Sequence, residues 1–229
     1  RHTLIALAAA AALGAPAAVG AQEFRFTYLE GGIVAGFVND VERTGTISGP
    51  GGPFELESDA DGGGFIGGAW EFGQNFHVFG EYASASQELE LRDGATRVEG
   101  EFDVVRWRVG LGYARPVSDR TAFYGRLSYD SLQFKDARVP GFDLSINGDD
   151  SGVGAEAGLI WAATPTFHLQ GHVRYTSVGK VDDGSTDDFG SDVLVGVNGR
   201  WYFRPNIALV TGYELGKITT WNLGMRFAF

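Results

Sequence analysis

Arginine and glutamate recur at alternate positions along this 229-residue chain, and that pairing is the strongest candidate for chemistry. In VVRWRVGLGY, Arg106 and Arg108 share one face with Gly110 and Gly112, while Trp107, Val109, Leu111 and Tyr113 share the other. The same parity sets Arg126, Arg174, Arg200 and Arg226 opposite large apolar residues, and it places Glu30, Glu81, Glu156 and Glu214 on the arginine face. Ions leave bulk water at high cost unless they are paired. A face carrying both signs therefore implies an enclosed, wet, self-paired interior with an Arg–Glu ladder across it. Such a ladder has two readings. Rings of charge set ion preference at a constriction, which would make it a gate. Alternatively the side chains fill and rigidify a narrow barrel, since eight strands leave room only for side chains and ten leave slightly more.

Other chemistry is thinner. His77 and His168 each follow a tight turn, and His172 projects inward beside Arg174. A hydrolase needs a histidine within hydrogen-bond reach of a nucleophile system. Ser177 and Asp182 follow His172 but fall in or beside a long connection. No catalytic residue is assigned and no enzyme activity is expected; a lipid-modifying barrel is the third-ranked class. The acidic runs ESDADGG and VDDGSTDD suit Ca²⁺ by ligand type, yet counting twelve residues from Asp59 reaches Trp70, where a bidentate Glu is required. Solvated loop charge is the better reading, with loose divalent bridging to lipopolysaccharide between the two. No metal site and no cofactor are expected. Cysteine is absent, so disulfides and thiolate chemistry are excluded. A formal charge of -11 argues against nucleic acid as a partner.

The elements that must position these residues are strands. Thirty-five glycines weaken any helix interior, and no apolar stripe of period 3.6 follows Gln22. Period-2 alternation predicts strands over 24–38, 64–73, 76–90, 102–115, 121–134, 152–163, 166–177, 190–204, 206–216 and 218–229. Ten is an even number, as a closed antiparallel barrel of bacterial type requires. The connections alternate: FGQNF, ARPVSDR, ATPTF and FRPNI are tight. NDVERTGTISGPGGPFELESDADGG, RDGATRVEGE, DARVPGFDLSINGDD and KVDDGSTDDFG are long and mostly acidic. Before the first strand, RHTLIALAAAAALGAPAAVGAQE has a basic start, an Ala/Leu-rich run and a small-residue site at Val19-Gly20-Ala21. It reads as a secretory signal over 1–21, cleaved after Ala21, with 22–229 as the barrel domain.

Alternation alone does not say which face meets which solvent. An exported soluble cup would turn the apolar face inward, and a membrane barrel turns it to lipid. Aromatic placement favours lipid. Tyr113, Phe123, Trp161, Phe167, Trp201 and Phe203 lie near the short turns, and Trp107, Tyr129, Tyr175 and Trp221 near the long connections. They predict two girdles bordering an apolar band. The chain ends in WNLGMRFAF, a strand that must pair with the first to close the cylinder.

These segments now point to a family. FRFTYLEGGI, NFHVFGEY, RWRVGLGY, GAEAGLIW and GMRFAF resemble the small proteobacterial outer-membrane barrels of the Ax type, within the broad OmpA/OmpX-like class. NFHVFGEY and WRVGLGY are the most specific pieces, and the similarity runs over the whole mature chain. The resemblance implies a closed barrel in the bacterial outer membrane, with membrane lipid and lipopolysaccharide as neighbours. It also implies that terminal Phe229 is part of a signal read by the barrel-assembly machinery. It implies no enzymatic role. The expectation is a monomer with a structural and surface-interactive role, the alternative being a narrow channel for ions or small solutes.

Overall fold

A computed structural model of the protein describes residues 24–38, 44–46, 53–93, 96–138, 148–178 and 192–229. Its described residues form eleven strands and no helix: β1 (Tyr28–Val38), β2 (Thr44–Thr46), β3 (Pro53–Phe72), β4 (Phe76–Asp93), β5 (Thr96–Ser118), β6 (Thr121–Arg138), β7 (Gly148–Thr164), β8 (Phe167–Thr176), β9 (Asp192–Arg204), β10 (Ile207–Leu215) and β11 (Ile218–Ala228). Each of β3 to β10 pairs antiparallel with its successor. The ring closes where β1 pairs with both β11 and β3, so that Glu30 faces Arg226 on one side and Gly67 on the other. β2 only extends the edge of β3. The result is a closed, all-β, ten-stranded up-and-down barrel, as the alternation predicts.

Burial follows parity, with the polarity of an ordinary globule reversed. Leu127 is 69% exposed and Val153 is 63% exposed, whereas Arg126, Asp130, Glu156, Arg200 and Arg226 are buried. Such an outer wall is stable only in hydrocarbon. Lipid offers no hydrogen-bond partners, so every backbone group must be bonded strand to strand, and closure leaves no open edge. The tight turn after β3 uses positive φ at Gly73 (60°) and at Asn75 (72°). Gly and Asn are the residues that tolerate this conformation.

The strands depart from the sequence expectation at both ends. Regular pairing of β1 begins at Tyr28 rather than Phe24. At the other end, two runs read as acidic loops are largely strand. Pro53–Gly63 lies within β3, and the β4–β5 hairpin holds its register as far as Asp93↔Thr96. β6 likewise continues to Arg138, and β7 starts at Gly148. Beyond the apolar band neither face of a strand needs to be apolar, so a polar strand there reads as a loop. The run KVDDGSTDDFG lies outside the described residues, as does the signal segment.

Candidate functional site

The lumen is built in three layers. At the short-turn end, Phe26, Ala114, Tyr124 and Ile160 form a buried cluster with Phe24 packed against it. Phe24 and Phe26 precede β1 and continue its inward parity. Phe26 stacks on His77 at 5.3 Å between ring centroids, and Phe24 meets His168 at 5.5 Å. Tyr202 also meets His168, at 4.9 Å. Inward glycines make room for these rings: a side chain at Gly112 would collide with His77, and one at Gly158 with Tyr124. This aromatic floor was missed from the sequence, which suggested only glycine and charge on the inner face.

Above the floor sits the charged layer. Arg108 donates from Nε to Glu81 at 2.7 Å and from Nη1 to Glu156 at 2.6 Å. Arg126 touches the same two carboxylates at 3.4 and 3.7 Å. It also donates to Tyr28 Oη and to His77 Nε2, both at 3.2 Å. Tyr28 stands on β1, four strands from β6 along the shorter arc, so this contact crosses the bore. Arg174 holds Glu214 at 2.5 Å and Asp130 at 3.7 Å. His172 Nε2 lies 3.0 Å from Glu214. Arg226 binds Glu30 through Nε at 2.7 Å and stacks over the Tyr28 ring at 3.6 Å. Arg200 donates to Gln170, which in turn donates to Tyr124 Oη at 2.5 Å. Arg106 lines the bore and makes no hydrogen bond or ion pair among the described residues. Of the ten lumenal residues singled out above, nine are therefore held by specific partners. Asp130 and Gln170 join the network without having been singled out, because the ladder was drawn from Arg and Glu alone.

The third layer, toward the long connections, is apolar again. Phe102, Val104, Leu132, Phe134 and Val178 form a buried cluster joined by Ile218. A cavity of about 230 Å³ runs from this ceiling into the charged layer. Eight strands would leave no such space; ten leave this much.

On the outer wall, Tyr113, Phe123, Trp161, Phe167, Trp201 and Phe203 are exposed toward the short-turn end. Tyr129, Tyr175 and Trp221 are exposed toward the other end. Trp107 is half-buried, its ring 5.9 Å from Tyr129. Further aromatics extend both bands: Phe76 pairs with Tyr113, Tyr82 with Trp107, and Tyr213 with Trp221. Phe229 is 70% exposed, and its backbone N–H donates to Thr27 O at 3.1 Å. No group of three or more His, Asp or Glu placed to hold a metal ion occurs among the described residues. Ser177 Oγ accepts the Val153 N–H at 2.8 Å, a strand-end role.

A family model described as outer membrane protein beta-barrel domain matches residues 5–201. Solved structures similar to the chain include the outer membrane protein OprG from Pseudomonas aeruginosa, with 12% identity and a TM-score of 0.46, covering 91% of this chain and 98% of that one. The translocator domain of autotransporter NalP from Neisseria meningitidis has 12% identity and a TM-score of 0.47, covering 99% and 93%. The attachment invasion locus protein Ail of Yersinia pestis has 14% identity and a TM-score of 0.37, covering 89% and 97%. No curated protein matches the sequence.

Proposed function

Because the chain belongs to the outer membrane protein beta-barrel domain family, we propose that it serves the bacterial outer membrane as a structural, surface-presenting barrel whose bore is filled rather than open. The observation that carries this reading is the double obstruction of the lumen. Arg126 reaches Tyr28 across the bore, and beneath it Phe24, Phe26 and Tyr124 pack against one another. An open pore would need a continuous wet path, and an aromatic floor excludes water where ions would have to pass. In this role the barrel is a monomer, exported with a signal over 1–21 and assembled by machinery that reads Phe229. It sits among lipid and lipopolysaccharide and displays the acidic long connections outside. It carries out no catalysis.

Recording from the purified barrel in planar bilayers tests the proposal. The expected result is no steady conductance from the wild type, and stable unitary steps would overturn it. The 230 Å³ cavity inside the charged layer favours the narrow channel as second reading, and the same recording decides between them. Lipid A mass spectra with and without expression test the absence of catalysis, with unchanged spectra expected.

A further inference from the structure

The charge of the lumen runs against the charge of the chain. Overall the protein carries -11, yet the carboxylates of the network are fewer than its guanidinium groups. Glu81 and Glu156 share Arg108 and Arg126, Glu214 and Asp130 share Arg174, and Glu30 takes Arg226. That leaves Arg106 and Arg200. Arg200 is satisfied by the Gln170 carbonyl, deep beside Tyr124. Arg106 faces the cavity without a hydrogen-bonded partner among the described residues.

Its surroundings are mostly apolar, apart from Gln87 and Thr220 and the carboxylates of Glu214 and Glu81, which attract it without a hydrogen bond. Arg106 also lines a small annex of the cavity, whose other walls include Val34, Ala83, Val104 and Ile218. A guanidinium so placed is costly to keep unless something pairs with it. Its planar fork of donors matches a carboxylate in two parallel hydrogen bonds. An anion seated there would rest its remaining surface on the ceiling formed by Leu132, Val178 and Ile218. At about 230 Å³ the space is below the roughly 300–1,000 Å³ typical of sites for drug-sized molecules. The occupant is therefore small.

We infer that the lumen holds a binding site for a small organic carboxylate with an apolar body, its head on Arg106 and its body against the apolar ceiling. The inference rests on the lumenal face being enclosed, which the barrel reading supplies. It does not require conduction. A filled barrel with such a site is a receptor or store for the acid, and a leaky one is selective for it.

Benzoate, benzamide and benzylammonium make a matched set of probes differing in head-group charge. Isothermal titration of the intact barrel in a neutral detergent, with protein-free micelles as blank, should give saturable binding for benzoate. The neutral and cationic probes should bind at least tenfold more weakly. Arg106→Gln should weaken benzoate about ten- to hundredfold, as loss of a charge-assisted bond predicts, and leave benzamide unchanged. Arg120→Gln, in the exposed turn between β5 and β6, should leave benzoate binding unchanged. No saturable benzoate binding up to 10 mM (roughly the limit below −3 kcal/mol), equal binding of all three probes, or an Arg106→Gln variant that binds as the wild type does would each overturn the site. The three-probe comparison uses wild-type protein alone, so it decides even if the variant does not fold. A heat-dependent shift in gel mobility on the same sample reports the barrel separately. A shifted band with no benzoate preference sinks the site and spares the barrel, whereas loss of the shift sinks both.

Discussion

Arg108 and Arg126 hold the same two carboxylates, and the structure ranks them. Arg108 makes the short contacts, 2.7 Å to Glu81 and 2.6 Å to Glu156, while Arg126 stands at 3.4 and 3.7 Å. The Glu156 side chain is only 3% exposed, so water cannot replace a lost partner. Arg108→Met should then cost about 3–5 kcal/mol, the range for breaking a buried pair and leaving one charge behind. Arg126→Met leaves both short bonds standing and removes longer contacts plus the bonds to Tyr28 and His77, for about 1–2 kcal/mol. A gap near 2 kcal/mol is roughly thirtyfold in the unfolding equilibrium. Urea unfolding in phospholipid vesicles, followed by tryptophan emission, measures both variants. Adding Glu156→Gln completes a double-mutant cycle with Arg108→Met, and the coupling should be about 1.5–3 kcal/mol. An Arg126→Met variant as costly as Arg108→Met, or a cycle with no coupling, would refute the ranking and the claim that bond length decides it.

Leu127 points into lipid between Phe123 and Tyr129, so Leu127→Arg should cost about 2–4 kcal/mol of folding into vesicles, falling toward about 0–1 kcal/mol for the same change at the rim. Folding yield across bilayers of increasing thickness checks the depth dependence. Gly112→Val must push the His77 ring aside and should cost about 1–3 kcal/mol, whereas Gly171→Val enters open space and should fold as the wild type does. Their urea midpoints compare the two directly. Replacing Phe24 and Phe26 together by Ala removes the two rings that the segment before β1 adds to the floor, and bilayer recording should then detect current that the wild type lacks. A variant as silent as the wild type would place the block at Arg126 and Tyr28 instead.

The sequence made strand number and facing legible because a membrane barrel applies one rule at every position within the apolar band. Leu127 out and Arg126 in follow from period 2 alone, whereas the register that sets Glu81 beside Arg108 and Glu156 beside Arg126 also depends on the turns. The rule lapses where the band ends, and there the reading failed. FELES alternates as a strand does, but the glycines before it and the acidic run after it make it look like loop, although its backbone pairs in register. Phe102 and Phe134 gave the opposite difficulty. They are apolar residues on the inner face, and a scheme that assigns apolar to lipid has no place for them.

Partner choice inside the bore is illegible for a further reason. Alternation fixes which face a side chain leaves from, but not how far around the ring its partner stands. Arg126 and Tyr28 are 98 residues apart and meet only because closure brings β1 within reach of β6 across the axis. The lumen is thus the product of two constraints of different range. Lipid dictates the outer wall residue by residue. The inner wall needs only that its ions be paired and its space filled, and many sequences satisfy that. A guanidinium left over after the pairing among the described residues, as at Arg106, is therefore more informative than any paired one: neither lipid nor packing accounts for it, and the proposed ligand would.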